Sequence, residues 1–169
     1  MTGAGSRLPH LPALDGLRGL AVAGVLAFHA GLGVMVGGYL GVSSFFTLSG
    51  FLITSLLLRE SSGGGVQLGR FWSRRLRRLL PASLLTLAGV LVVCAPLFAT
   101  ASQRASLQGD SLASLFDVAN WWFILQGSSY GRLFVDPSPV LHFWSLAIEE
   151  QFYLVFPILL VALWRVSRG

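Results

Sequence analysis

Two side chains that could do chemistry, Arg18 and His29, lie eleven residues apart in the apolar stretch "LDGLRGLAVAGVLAFHA". Eleven residues of α-helix turn through about 1,100°, so both side chains would lie within about 20° of one face and about 16 Å apart along the axis. A neutral imidazole can accept a proton near pH 7. These residues alone leave two interpretations of His29 open: a hydrogen bond to a neighbouring helix, and a functional role.

A second group of candidates is a cluster of arginines, since five of the twelve basic residues lie between Arg70 and Arg78. On a helical wheel one side of this segment carries Arg70, Arg74, Arg77 and Arg78, and the other side carries Trp72, Leu76, Leu79 and Leu80. The pattern predicts an interfacial amphipathic helix with a basic face. Such a face can anchor the chain to anionic lipid or bind the phosphates of a ligand.

The elements that carry these side chains are predicted to be membrane helices. The chain has 169 residues, of which 54% are hydrophobic and 11% charged, about half the charged share of a soluble domain. Forty residues between Arg18 and Arg59 contain no Asp, Glu, Lys or Arg, which is enough for two spans of about 20 residues. The fold class is therefore all-α, a polytopic transmembrane helix bundle with about four spans and amphipathic surface helices.

The predicted spans follow the apolar runs and run roughly over residues 16–35, 39–58, 80–100 and 141–164. Glycines mark the first hairpin turn, at Gly31, Gly33, Gly37 and Gly38. Apolar residues at 3–4 spacing predict one further amphipathic helix over 112–126, at the surface or re-entrant. No Cys/His cluster suggests a metal ion, and no nucleic-acid partner is expected.

The placement of arginines predicts the orientation in the membrane. The Arg70–Arg78 cluster would be cytoplasmic, and so would the N-terminal tail, residues 1–13. Glu149 and Glu150 interrupt the first half of the last helix and would then lie on the external side. One of them could orient His29; alternatively both are helix-start carboxylates at the membrane surface.

Four motifs together resemble one family. "LPALDGLRGLAVAGVLAFHA", "GGYLGVSSFFTLSGFLIT", "FWSRRLRRLLPA" and "LHFWSLAIEEQFYLVFP" occur in this order, and the chain looks like a member of the acyltransferase 3 family of integral membrane O-acyltransferases. The family domain has about ten spans. The resemblance therefore implies that residues 14–169 are the N-terminal part of a truncated domain, with further C-terminal helices as partners.

The resemblance also implies roles for the candidate residues. The family's motif histidine, the expected catalytic base, corresponds to His29, and its motif arginine, which helps hold the donor or the site geometry, corresponds to Arg18. Its Arg-x-x-Arg motif matches both Arg74/Arg77 and Arg75/Arg78, and is expected to bind acyl-CoA phosphates. A guanidinium suits this role because it can bind phosphate through two hydrogen bonds.

Two further parts of the resemblance concern the acceptor side of the site. The segment "SLAIEEQFY" matches a family signature that contains Glu149, Glu150 and Tyr153, as possible acceptor-binding or orienting residues. The family commonly has an Asp where this chain has Ser43. A serine there could supply only a hydrogen bond in place of electrostatic assistance.

The function that the resemblance implies is transfer of an acyl group from cytosolic acyl-CoA, acetyl-CoA in particular, to a hydroxyl of a glycan, lipid-linked sugar or secondary metabolite. The chain would lie in a bacterial-type plasma membrane with its N-terminus cytoplasmic. Its partners would be the lipid bilayer, acyl-CoA and a hydroxylated acceptor such as a carbohydrate, with no bound cofactor. The alternatives are a proton-linked transporter subunit, with His29 as a relay group, and a non-catalytic membrane fragment.

Overall fold

The structure is a computed structural model that describes residues 12–62, 65–127 and 137–167. Within these ranges every regular element is a helix, which confirms the all-α class. Residues 1–11 of the predicted N-terminal tail lie outside the described residues. The chain divides into two compact units, Met1–Gln67 and Leu68–Gly169.

The first unit is a helical hairpin. Helix α1 (Pro12–His29) is followed by a 3-10 turn (Gly33–Met35) and by α2 (Leu40–Ser62). The predicted first helix continued to residue 35, but α1 ends six residues earlier. The cause lies at Gly31, whose φ of 72° is the left-handed conformation that glycine adopts without a steric penalty.

Two backbone hydrogen bonds close this end of α1. The N–H of Gly31 donates to the carbonyl of Phe28, and the N–H of Leu32 donates to the carbonyl of Ala27. This is the Schellman arrangement, with the left-handed residue just beyond the helix. It places His29 in the last turn of α1.

Two glycines, Gly38 just before α2 and Gly41 in its first turn, let the two helices pack at backbone contact. A Cβ added to Gly38 would collide with the carbonyl oxygen of Gly24 and lie 2.8 Å from the Cβ of Phe28. A Cβ added to Gly41 would collide with the carbonyl oxygen of Ala21. Small residues at a helix interface allow such close approach between membrane helices. Gly38 lies in the turn, as predicted, and it also makes this contact.

Three helices of the described residues are long and apolar enough to cross a membrane: Leu40–Ser61, Leu68–Phe98 and Phe143–Val166. The sequence indicated about four. Helix α1 is not among the three, because Asp15, Arg18 and His29 all lie within its eighteen residues. Because it contains these long apolar helices, the chain is an integral membrane protein.

The second unit begins with α3 (Leu68–Phe98), where the sequence predicted a surface helix followed by a separate span. The helix continues without interruption through Pro81, with a π-helical stretch at Val90–Cys94. Its 31 residues span about 46 Å, against about 30 Å for the hydrocarbon core. One helix is therefore long enough to carry the arginines at the interface and still cross the membrane.

The predicted helix over 112–126 is wrong, because the structure divides it into α4 (Ala101–Leu115) and α5 (Ala119–Leu125). The break lies at Asp117, which has a φ of 53°. The N–H of Asp117 donates to Ser114 and the N–H of Val118 donates to Ala113, so this is a second Schellman ending, with Asp in the usual glycine position. Asp tolerates the left-handed conformation better than most residues do.

The last helix, α6 (Phe143–Val166), packs antiparallel to α3. Trp72 near the start of α3 contacts Tyr153, whereas Leu87 further along shares an apolar core with Phe143 and Ala147 near the start of α6. That core also contains Ala119 and Phe123 of α5 and the preceding residues Val140 and Leu141. It holds α3, α5 and α6 as one unit.

The glycine contact in the hairpin can be tested with a matched pair of Gly→Ala variants. Gly41→Ala places a methyl group against Ala21 and Val25 and should cost about 1–3 kcal/mol of stability. Gly19→Ala adds the same group where no atom lies within 4 Å, and should be neutral or stabilise by up to about 1 kcal/mol. Thermal unfolding in detergent micelles measures both; an equal effect at the two sites would refute backbone contact between α1 and α2.

Candidate active site

The first unit carries Arg18 and His29 on one uninterrupted helix, as the spacing predicted. Arg18 is half-buried in the middle of α1, and His29 is exposed in its last turn. The two side chains therefore project from one rigid rod, about 16 Å apart along its axis.

The ring of His29 is oriented by a hydrogen bond to its own helix. Nδ1 lies 2.8 Å from the carbonyl oxygen of Val25. A carbonyl oxygen can only accept a hydrogen bond, so Nδ1 carries the proton, and in the neutral ring Nε2 is the unprotonated nitrogen. The nitrogen that can act as a base is therefore the one that points away from the helix backbone.

Aromatic contacts add a second constraint on His29. The ring of Phe28 lies edge-on to the imidazole at 5.3 Å and edge-on to the ring of Tyr39 at 5.7 Å. Tyr39 immediately follows Gly38, which packs against the backbone of α1. The start of α2 thus supports the end of α1 where the imidazole lies.

Ser43 lies one turn into α2 and is exposed. Its backbone carbonyl accepts a hydrogen bond from the hydroxyl of Thr47 at 3.0 Å. The structure therefore places it on the same unit as Arg18 and His29, on the neighbouring helix.

The arginines of α3 divide into two environments in the second unit. Arg75 is half-buried, while the four residues that the wheel placed on the basic face are all exposed: Arg70, Arg74, Arg77 and Arg78. The predicted basic face is therefore present, and Arg75 is not part of it. On the wheel Arg75 lies about 100° from Arg74, on the side of Phe71 and Leu79.

Arg75 lies against α6. Its guanidinium carbon is 4.4 Å from the centre of the Tyr153 ring and 5.8 Å from that of Phe71. The hydroxyl of Tyr153 donates to the Oε1 of Glu149. The sequence had put the arginines and the carboxylates on opposite sides of the membrane, and this is wrong: Arg75 and the Glu149–Tyr153 segment lie side by side.

The contact between α3 and α6 includes a backbone carbonyl. Pro157 has no N–H, so the carbonyl of Tyr153, four residues earlier, cannot receive its usual helical hydrogen bond. The indole Nε1 of Trp72 donates to this oxygen at 3.1 Å. The hydrogen bond sets which turn of α3 lies against Tyr153, and it places Arg75, three residues on, over the ring.

A cleft beside this contact holds two carboxylates from different elements. Asp117 and Glu150 line it together with Ser83 and apolar side chains of α3 and α6, among them Leu80 and Leu146. Glu150 also interacts electrostatically with Glu149 and Arg75. Burial raises the pKa of the Asp117 carboxyl above its ordinary value of 3.8, because a desolvated carboxylate is less stable than the neutral acid.

Gln151 ties the α4–α5 break to α6. Its Nε2 donates to the backbone carbonyl of Asp117 at 2.8 Å and to Oδ1 of Asn120 at 2.9 Å. Its Oε1 lies 3.3 Å from both Nδ2 of Asn120 and Nε1 of Trp121. These hydrogen bonds satisfy the polar groups of the break and hold Asp117 at the cleft.

Sequence reasoning missed Trp72, Asp117 and Gln151 as parts of this site. Trp72 and Gln151 do lie within the segments "FWSRRLRRLLPA" and "SLAIEEQFY", and a helical proline four residues after Tyr153 signals an unpaired carbonyl. Asp117 carries no such signal, because its position depends on a fold contact. Among the described residues no group of three His, Cys, Asp or Glu could hold a metal ion.

The described residues thus form long apolar helices, with an exposed arginine face on α3 and a histidine in the last turn of α1. The family model described as an acyltransferase domain matches residues 11–169, and the chain belongs to the acyltransferase 3 family.

Among its relatives is a peptidoglycan O-acetyltransferase of Listeria monocytogenes, 46% identical over 153 residues, which are 90% of this chain and 24% of the relative. A putative O-acetyltransferase of Staphylococcus aureus strain COL is 44% identical over 158 residues, 93% of this chain and 26% of the relative. A putative peptidoglycan O-acetyltransferase of Bacillus subtilis strain 168 is 46% identical over 154 residues, which are 90% of this chain and 24% of the relative. The chain thus spans about a quarter of the length of these relatives. No solved structure matches it.

The half-buried carboxyl group of Asp117 gives a pH-dependent prediction. Because folding raises the pKa of this carboxyl, the folded state binds the proton more tightly than the unfolded state does, and stability falls as the pH rises above about 4. Asp117→Asn removes the charge and still tolerates the left-handed backbone. We therefore expect the variant to be more stable than the parent near neutral pH, with a gain that shrinks on acidification.

Melting temperatures in detergent from about pH 4 to about pH 8 measure this gain. Asp117→Ala serves as the control, because it also removes the charge but is unsuited to a φ of 53°. It should show the same pH trend with a lower melting temperature throughout. A gain for Asp117→Asn that is identical at every pH would contradict the burial of the carboxylate.

Proposed function

We propose that this chain is part of a membrane O-acyltransferase that moves an acyl group from acyl-CoA to a hydroxyl of a carbohydrate. Membership of the family and the printed names of the relatives, which are O-acetyltransferases, support acetyl-CoA as the donor and a cell-wall glycan as the acceptor. The single observation that carries the proposal is the hydrogen bond from His29 Nδ1 to Val25, which leaves Nε2 as a base.

In the proposed reaction His29 acts as the general base. Nε2 takes the proton of the acceptor hydroxyl while the hydroxyl oxygen forms a bond to the thioester carbonyl carbon. The carbon–sulfur bond then breaks, and the departing thiolate of CoA takes the proton from the imidazolium. The hydrogen bond to Val25 becomes stronger when the ring is charged, because charge-assisted hydrogen bonds are the stronger ones. Arg18, on the same face of α1, is proposed to help hold the donor.

The exposed basic face is proposed to bind the phosphates of CoA. Arg74, Arg77 and Arg78 lie within about one turn of α3 and are exposed, so several guanidinium groups can approach one phosphate-bearing ligand. Since acyl-CoA is made in the cytosol, we place this face and the N-terminus on the cytoplasmic side of a bacterial-type plasma membrane.

Glu149 and Glu150 are proposed to orient groups of the site. They lie near Arg75 and the aromatic ring of Tyr153, and a carboxylate can hold a neighbouring donor in place by accepting its hydrogen bond. Ser43 on α2 is proposed to contribute a hydrogen bond in the first unit. The relatives are about four times longer than this chain, and further membrane helices are proposed as partners of the active enzyme.

Replacement of His29 tests the proposed base. We expect His29→Ala, in the full reading frame and in bacterial membranes, to lower acetyl transfer from acetyl-CoA to cell-wall glycan by about 10²–10⁴-fold, the usual contribution of a general base. The amount of protein in the membrane should not change, since the side chain is exposed and its hydrogen bond to Val25 lies within its own helix.

His142→Ala is the matched control, because His142 is also an exposed histidine at a helix end and has no proposed role. It should retain the parental rate. Unchanged transfer in His29→Ala would remove the catalytic assignment, and an equal loss in both variants would show that the effect is not specific to His29.

A further inference from the structure

We propose that Arg75 is a positioning residue that holds the Glu149–Tyr153 segment of α6, and that it takes no part in binding the phosphates of the donor. The inference deepens the proposed function and rests on it for the contrast with the donor-binding arginines.

The first observation is the direction in which Arg75 projects. It is half-buried, whereas its neighbours Arg74 and Arg77 are exposed. Phe71, one turn earlier on the same side of α3, is 1% exposed. Charged side chains within membrane helices face the interior of a bundle and pair there. Arg75 follows this rule toward α6, and the other arginines face outward.

The second observation is what the guanidinium contacts. Its carbon lies 4.4 Å from the centre of the Tyr153 ring, well within the distance for a cation–π interaction, and Tyr153 is only 3% exposed. Cation–π interactions are stronger where water is excluded. A phosphate that bound Arg75 would compete with this contact in a place where the aromatic ring is almost completely covered.

The third observation is the charge around Arg75. Glu150 interacts electrostatically with it, and the ring it covers belongs to Tyr153, whose hydroxyl donates to Glu149. Carboxyl oxygens beside the guanidinium compete with a phosphate for its N–H donors. The same arrangement suits a cation whose role is to hold the carboxylates and the phenol in fixed positions.

These contacts predict different effects for the loss of an exposed arginine and for the loss of Arg75. Loss of an exposed arginine removes charge-assisted hydrogen bonds to the donor and weakens its binding. Loss of Arg75 releases Tyr153 and the carboxylates beside it, so the donor still binds and the transfer step slows. Lysine at position 75 keeps a cation over the ring, although without the planar guanidinium, and should restore part of the rate.

Four variants of the full chain test this, with Arg75→Ala and Arg75→Lys compared against the controls Arg77→Ala and Arg78→Ala. CoA is the binding probe, titrated against each purified protein in detergent, and acetyl transfer from acetyl-CoA to cell-wall glycan gives kcat and KM per folded molecule. We expect about ten-fold weaker CoA binding in the two controls. We expect less than about two-fold change in CoA binding for Arg75→Ala, with kcat lowered about ten-fold or more and partly restored by Arg75→Lys.

Hydrogen exchange of the α6 amides gives a readout that does not depend on activity. Arg75→Ala should speed exchange around Glu149–Tyr153, and Arg77→Ala should not. If the parent protein binds no CoA, the proposed donor is wrong, and the exchange result still decides the role of Arg75. The inference is overturned if Arg75→Ala weakens CoA binding as much as Arg77→Ala does, if its kcat equals that of the parent, or if exchange in α6 is unchanged.

Discussion

Pro157 leaves the carbonyl oxygen of Tyr153 without a helical partner in the middle of a membrane-spanning helix, and the second unit is arranged around that oxygen. An unpaired backbone group in an apolar environment costs several kcal/mol. Trp72 supplies the missing donor from α3, and this fixes the antiparallel register of the two helices. Arg75 then lies over Tyr153, and Leu87 meets Phe143 and Ala147 in the apolar core.

Both units position their reactive side chains through backbone groups. In the first unit a left-handed glycine ends α1, and the carbonyl of Val25 orients the imidazole of His29. In the second unit the left-handed Asp117 ends α4 and presents a carboxyl to the cleft that Glu150 also lines. Backbone groups can orient such side chains in a membrane protein, where few polar side chains are available as partners.

The sequence predicted what depends on local pattern. Apolar runs indicated the long helices, the wheel indicated the exposed arginine face, and the eleven-residue spacing placed Arg18 and His29 on one helix. It misjudged features that depend on contacts. The break at Asp117 was missed because an Asp stands where glycine usually does, and the side-by-side placement of Arg75 and Glu149 follows from a register that one hydrogen bond determines.

The most direct test is a double-mutant cycle between Trp72 and Pro157. Trp72→Phe removes the indole N–H and should cost about 1–3 kcal/mol, since the Tyr153 carbonyl loses the donor that α3 supplies. In a Pro157→Ala background the new backbone N–H can pair with that carbonyl, so Trp72→Phe should cost much less. Reversible unfolding in mixed micelles measures each corner of the cycle. An equal cost of Trp72→Phe in the two backgrounds would contradict the account.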